Sequence, residues 1–97
     1  MVGSRSDLRR IRAAVRTRAY DITAHAAEEM AEDDLDIDDA EAAMLNGSII
    51  RAQTDDPRGT RFTLHGTAAD AETSVGVVCR FTETGRLLVI TVYAVTE

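Results

Sequence analysis

Four side chains in the second half of the chain are of the types that acid–base chemistry requires. Arg61 and His65 lie in one stretch of alternating polar and apolar residues, Arg80 lies in the next, and Tyr93 lies in the last. Cleavage of RNA through its 2′-hydroxyl needs a base, an acid for the leaving oxygen and a fixed cation beside the phosphorane. Histidine, tyrosine and arginine can fill these roles without a metal. The four residues are therefore candidates for a catalytic or RNA-contacting group, and the simpler alternative is a solvated sheet face.

His25 is a second candidate centre. It follows Thr23 and would lie in the first turn of a helix. Glu29 comes four residues later on the same helical face, so we expect contact between these two side chains. The structural alternative is that His25 bonds the first turn of the helix or packs beside Tyr20.

The sequence offers no convincing metal site. Its two histidines and one cysteine lack the close spacing of zinc ligands. The acidic run that begins at Asp34 imitates the opening of a calcium loop, but the sixth position is Asp39 instead of Gly and the twelfth is Leu45 instead of Glu. We therefore predict no metal and no cofactor, and we interpret the acidic run as a solvated helix face and turn.

The spacing of apolar residues predicts helices first and strands afterwards. Leu8, Ile11 and Val15 recur at intervals of three and four, which is the period of a helix, and the period changes to the alternation of strands after Gly47. The predicted helices cover residues 6–18, 23–33 and 38–45, a brief edge strand covers 20–22, and the strands cover 49–52, 61–65, 75–81 and 87–95. For the helix starts, we expect caps at Ser6 and Thr23 and a capping box formed by Asp38 and Glu41.

These elements predict an α+β fold with N-terminal helices packed on one face of a four-stranded antiparallel sheet. If Phe62 and Leu64 face the helices, alternation places Arg61 and His65 on the opposite face. The candidate residues of the two later strands are assigned to this face as well. The length of 97 residues suits a single domain over residues 1–97, whose first five residues we expect to form a loose tail.

Charge is distributed unevenly along the chain. The net charge is −6, but residues 1–18 hold six arginines and one acid, whereas residues 19–47 hold ten acids and no arginine. An Arg-rich segment can meet phosphates or an acidic protein. No apolar run approaches the roughly 20 residues that span a bilayer, and the first residues lack the apolar core of a signal peptide, so we expect a cytoplasmic protein without a membrane partner. The lone Cys79 lies in an apolar stretch and fits a buried thiol.

A family resemblance covers residues 18–94. It is carried by a motif at the second helix, by a helix-ending glycine and by the last strand, namely Tyr20, Thr23, His25, Ala26, Met30, Gly47 and Ile90-Thr91-Val92-Tyr93. This pattern resembles the prokaryotic domain-of-unknown-function family numbered 4258. The resemblance implies a fold related to the RelE/ParE-type toxins of toxin–antitoxin modules, and hence a small ribonuclease-like scaffold.

Two positions depart from the pattern of that family. Glu29 stands where the family usually has Arg before the Met, and Asp33 or Asp34 stands where a second Arg is common. The resemblance, together with His25 and the group of four on the sheet, leads to the hypothesis of a toxin-like endoribonuclease that cleaves RNA without a metal. The departures favour the alternative of a non-catalytic protein-interaction module on the same fold, which would bind a partner, a cognate antitoxin, through its Arg-rich helix or an exposed sheet edge.

Overall fold

The computed structural model describes residues 4–96, which form three helices and a five-stranded sheet in a mixed α+β fold. In chain order the elements are α1 (Arg5–Arg16), β1 (Tyr20–Ile22), α2 (Ala24–Glu32), α3 (Ile37–Asn46), β2 (Ser48–Gln53), β3 (Arg61–Thr67), β4 (Ser74–Phe81) and β5 (Leu87–Ala94).

The strand order in the sheet is β1-β5-β4-β3-β2. Strands β2 to β5 form the predicted antiparallel set, and each pairs with its neighbour along the chain. The prediction of four strands is nevertheless wrong, because β1 is a fifth strand that pairs in parallel with β5. The brief edge strand at residues 20–22 is confirmed. A three-residue strand contains too little alternation to indicate which distant strand it will join, so its partner had to come from the tertiary structure.

The helix starts show where local signals sufficed. Thr23 caps α2 as predicted, since its hydroxyl accepts a hydrogen bond from the N–H of Ala26 at 3.1 Å. The predicted cap of α1 is wrong by two residues, because Ser4 forms a capping box with Asp7. Residues 4 and 5 thus belong to the cap and first turn of α1, and the rest of the predicted loose tail, residues 1–3, lies outside the described residues.

The capping box of α3 is formed by Asp36 and Asp39 rather than by Asp38 and Glu41. In a run with several acids, more than one frame satisfies the spacing of a capping box. The adopted frame begins α3 at Ile37, whose side chain packs against the buried cluster. Burial of the apolar side chains therefore decides between equivalent caps.

The helical layer packs on one face of the sheet. α3 contacts β3 and β4, α2 contacts β5, and α1 packs against α3. The contact between α3 and β3 is close, since a β-carbon at Gly66 would lie 2.2 Å from the carbonyl oxygen of Ala43. The buried side chains form one cluster, whose largest fully buried members are Ile11, Met44, Leu64, Leu87, Val75, Val77, Val89, Val92 and Cys79. Each large apolar side chain buried in this way contributes about 1.5–3 kcal/mol to folding.

Candidate functional site

The face of the sheet turned away from the helices, called here the outer face, carries the polar residues of the strands. The register of the strands arranges them in rows. Its members are Ser48, Arg51, Gln53, Arg61, Thr63, His65, Gly76, Val78, Arg80, Leu88, Thr91 and Tyr93. The four candidates of the sheet therefore share one face, whereas His25 lies on α2.

His65 and Tyr93 are in direct contact on the outer face. The Nε2 atom of His65 lies 3.3 Å from the hydroxyl oxygen of Tyr93, and the two rings meet edge to face with centroids 6.2 Å apart. Both side chains are half-buried. A hydroxyl hydrogen-bonded to an imidazole is an arrangement through which a proton can pass.

Gly76 makes this contact geometrically feasible. His65 and Tyr93 belong to strands that lie on either side of β4, and each is opposite Gly76 in the register. The ring of Tyr93 lies across Gly76, because a β-carbon built there would be only 2.3 Å from Cζ of that ring. Any side chain at this position would occupy the path from Tyr93 to His65.

Arg61 and Arg80 lie at the opposite end of the outer face. Arg61 comes four residues before His65 on β3, which corresponds to about 13 Å along a strand, and Arg80 follows Cys79, the partner of Phe62. The structure therefore divides the predicted group of four into two pairs. The backbones of Arg61 and Arg80 therefore lie far from a phosphate that contacts His65 and Tyr93.

The side chain of Arg61 is also held locally. Its Nε lies 3.3 Å from Oδ2 of Asp56 but lacks hydrogen-bond alignment, and Asp56 is shared with Arg58 at 3.2 Å. Hydrogen bonds from Arg58 to the carboxylate, with a smaller effect of the Arg61 charge, lower the pKa of Asp56 to about 2. This end of the outer face is thus a small ion-pair cluster that fixes the loop between β2 and β3.

Arg51 is a cation that alternation did not reveal. It lies opposite Thr63, in the row next to His65. Its side chain is exposed and forms no hydrogen bond or ion pair with other residues of the 4–96 range. The register between β2 and β3 shifts between Ile49 and Arg51, so that Ile50 is an extra residue. Strict alternation from Ile49 would have turned Arg51 towards the helices, and the bulge brings it to the outer face.

His25 makes the predicted contact with Glu29. Its Nε2 lies 3.2 Å from Oε1 of Glu29, while the imidazole is 66% exposed. The position of His25 on α2 separates it from the His65–Tyr93 pair, to which no hydrogen bond connects it within residues 4–96. The structure thus yields two separate histidine sites, and a catalytic role for either remains a prediction.

Glu29 and Asp33, the acids at the motif positions, close an edge of the sheet. Glu29 accepts a hydrogen bond from the N–H of Val92 at 3.3 Å, and Asp33 accepts one from Ala94 at 2.8 Å. β1 pairs with β5 only as far as Val89, which leaves the later N–H groups of β5 without a strand partner on that side. A backbone donor needs an acceptor, which a carboxylate provides and a guanidinium does not. Glu29 and Asp33 therefore have a structural role in this chain as acceptors for backbone N–H groups of β5.

The motif residue Tyr20 is used in packing. Its hydroxyl donates a hydrogen bond to a carboxylate oxygen of Glu41 and so connects β1 to α3. Burial, followed by the bond to Glu41, raises the pKa of Tyr20 to about 12. This tyrosine is therefore a neutral hydrogen-bond donor in the fold, and it is distinct from Tyr93 on the outer face.

Cys79 is fully buried, and burial raises the pKa of its thiol to about 12, which makes it unreactive at neutral pH. Within residues 4–96, no group of three or more His, Cys, Asp or Glu side chains is arranged to hold a metal ion. The helices of this range are also too short or too polar for any of them to cross a membrane.

Comparison with known proteins adds one match. The sequence profile described as Domain of unknown function (DUF4258) matches residues 22–94, which extend from the end of β1 to the end of β5. No curated protein and no solved structure matches the chain. The matched region includes α2, the acids that close the β5 edge and the His65–Tyr93 pair. Because this match spans most of the chain, the protein belongs to the DUF4258 family.

Proposed function

We propose that the protein is a metal-independent endoribonuclease that binds RNA on its outer face and acts as the toxin of a toxin–antitoxin pair. The observation that carries the proposal is the 3.3 Å contact between His65 and Tyr93 across Gly76. It brings together two groups that can exchange a proton on a face that also bears arginines. RelE/ParE-like ancestry belongs to the same proposal and rests on the resemblance alone.

The electrostatics of the outer face suit an anionic ligand. Arg51, Arg61 and Arg80 are its cations, whereas the ten acids of residues 19–47 lie mainly in α2, α3 and the turn between them. These acids would repel an RNA strand from α2 and α3, whereas the arginines of the sheet would accept it. Arg51 is the cation of this face that lies in the row next to the His65–Tyr93 pair.

In the proposed reaction, His65 and Tyr93 end in the same protonation states in which they began. Neutral His65 takes the proton of the 2′-hydroxyl while that oxygen forms a bond to phosphorus. The bond from phosphorus to the 5′ oxygen breaks, and Tyr93 gives its proton to this leaving oxygen. The products are a 2′,3′-cyclic phosphate and a free 5′-hydroxyl. The proton on His65 then returns to Tyr93 through their contact, while Arg51 balances charge at the phosphate.

The test is cleavage of single-stranded RNA by the purified protein at low salt in the presence of a chelator. We expect His65→Gln and Tyr93→Phe each to lower the cleavage rate by about 10²–10⁴-fold, the usual contribution of an acid or base. His25→Gln removes the other histidine and separates the two histidine sites: wild-type cleavage by this variant assigns the chemistry to the outer face alone. Absence of cleavage by the wild-type protein, together with normal growth of bacteria that express it, would refute the proposal.

A non-catalytic interaction module is the second candidate, and one observation favours it. Glu29 and Asp33 stand in place of the two motif cations and accept hydrogen bonds from the backbone of β5. In this chain these positions therefore stabilise the fold. A cognate antitoxin would then be the principal ligand. In that case, a protein encoded beside this gene should co-purify with it, and His65→Gln should leave the complex and its effect on growth unchanged.

A further inference from the structure

Helix α1 carries a stripe of arginines on one face. Arg5, Arg9, Arg12 and Arg16 follow one another at intervals of four, three and four residues, which places them on a single side of a helix. Together with Leu8 they line a groove of 410 Å³. We call this surface the arginine stripe. Arg10, by contrast, lies outside it and packs 4.1 Å above the ring of Phe81.

The arginine stripe lacks balancing acids in the described part of the chain. Arg5, Arg9 and Arg16 are exposed, and neither they nor Arg12 forms an ion pair with another residue of the 4–96 range. Like charges three or four residues apart destabilise a helix. An anionic ligand would relieve this repulsion. Release of the ligand would not disturb the core.

A second cleft connects the stripe to the sheet. It has a volume of 640 Å³, and Leu8 and Arg12 line both it and the groove, so the two hollows adjoin at these residues. Its other walls come from the end of the sheet, with His65, Ser48 and Ser74 among them. Arg12 is fixed at the junction, since its Nη2 donates a hydrogen bond to the carbonyl of Gly47 at 2.9 Å.

The length and composition of this path fit a nucleic acid strand. The stripe extends from residue 5 to residue 16, or about 16 Å at 1.5 Å per residue, which is long enough to contact more than one phosphate of a nucleic acid strand. A second copy of this chain is the alternative occupant, since Glu28, Glu32, Asp34 and Asp38 of its helical layer are exposed, and the experiment therefore includes a measurement of self-association.

We propose that the arginine stripe binds the phosphates of single-stranded RNA and leads the strand into the cleft lined by Arg12 and His65. The inference rests on the proposed function in taking RNA as the ligand, and it concerns binding rather than cleavage. It assigns to α1, which lies outside the matched region of the family, the part of the site that holds the substrate.

The experiment measures the anisotropy of a labelled 2′-O-methyl oligoribonucleotide, which cannot be cleaved through its 2′ position. The test variant is R9Q/R16Q, which removes two exposed charges of the stripe. The matched control is R58Q/R86Q, which removes two arginines from loops at the other end of the sheet. Circular dichroism of all three proteins verifies that they are folded.

We expect R9Q/R16Q to weaken binding by at least about tenfold and to lower the slope of log Kd against log salt by about 1.4, from 0.7 per phosphate contact. R58Q/R86Q should bind nearly as the wild type does. If the two variants lose affinity equally, net charge rather than the stripe is responsible, and the inference is wrong. It is also wrong if the wild type fails to bind, or if R9Q/R16Q instead abolishes self-association seen by sedimentation.

The outcome is separable from that of the catalytic proposal. Stripe-dependent binding without any RNA cleavage would support this inference and refute the nuclease. Cleavage of RNA at the same rate and with the same affinity by wild type and R9Q/R16Q would support the nuclease and refute the stripe.

Discussion

Each end of the outer face carries candidate residues predicted from the sequence, but the physical settings of the two ends differ. At one end, His65 and Tyr93 contact each other across Gly76, and Arg51 in the next row is exposed and unpaired within the described residues. At the other end, Arg61 is tied to Asp56. Alternation assigns both ends to one face, yet at one end two side chains that can exchange a proton are in contact, and at the other an ion-pair cluster holds a loop. Residues on the same face of a sheet therefore do not necessarily belong to the same site.

Among the substitutions that test the difference between the two ends, Gly76→Ala has the largest expected effect. A β-carbon at this position would lie 2.3 Å from Cζ of Tyr93, so the ring must move away from His65. We expect cleavage to fall by about 10²-fold or more, as for loss of the acid–base partner itself. The unfolding free energy should fall by only about 1–3 kcal/mol, as for other overpacked sites.

The control for this experiment is the same change in a Tyr93→Phe background. If Gly76 acts through Tyr93, the double variant should cleave no more slowly than Tyr93→Phe alone. If Gly76→Ala cleaves RNA at the wild-type rate, the His65–Tyr93 contact is unimportant for activity.

A second experiment compares two arginines of the outer face. Arg51→Gln removes the outer-face cation in the row next to His65, and a hydrogen bond to a charged group contributes about 1.5–3 kcal/mol. We therefore expect kcat/KM for RNA cleavage to fall by roughly tenfold to a hundredfold. Arg61→Gln should change it much less, because this side chain is occupied by Asp56. An equal effect of the two substitutions would mean that both ends contact the substrate.

The closed edge of β5 allows a test of stability that is independent of function. In Asp33→Ala the N–H of Ala94 loses its acceptor, and water can reach this exposed position. We expect the free energy of unfolding in urea to fall by about 1 kcal/mol. Glu32→Ala, one residue earlier on the exposed end of α2, should change it by less than about 0.5 kcal/mol. Equal effects would argue against a specific role of Asp33 at this edge.

The smallest expected effect concerns acid sensitivity at the Arg61 end. The pKa of Asp56 is lowered to about 2 from an ordinary value of 3.8, so the ionised carboxylate stabilises the fold. This contribution is present above pH 3.8 and is lost as the pH falls towards 2. In urea titrations at a series of pH values, Asp56→Asn should flatten the decline of stability in that window. An unchanged slope would show that the ion pairs of Asp56 do not stabilise the protein.

Local signals in the sequence predicted the elements well, because the residues that produce them are adjacent. The Thr23 cap, the helix-ending Gly47 and the polar–apolar alternation around Phe62 and Leu64 each act within a few residues. The contact of His25 with Glu29 was predictable for the same reason, since four residues make one helical turn. The cap of α1 and the capping box of α3 were misplaced because repeated Ser and Asp residues offer several local frames.

The candidate site depended on features without a local signal. Ile50 is a bulge that brings Arg51 to the outer face, and Ile90 is an extra residue in the pairing of β5 with β4. Because of the second bulge, Val89 and Val92 can both be buried while Tyr93 faces outwards. Strict alternation along either strand predicts the wrong face for one of its parts.

The sequence by itself therefore determined the α+β composition, the order of helices before strands and the identity of the groups that can do chemistry. These follow from periodicity and residue type, which short segments possess on their own. The tertiary structure alone decided that β1 joins β5, that Gly76 lets Tyr93 reach His65 and that Arg12 connects the stripe to the cleft. Each of these is a contact between distant segments, and such contacts form only when burial of the core brings the segments together.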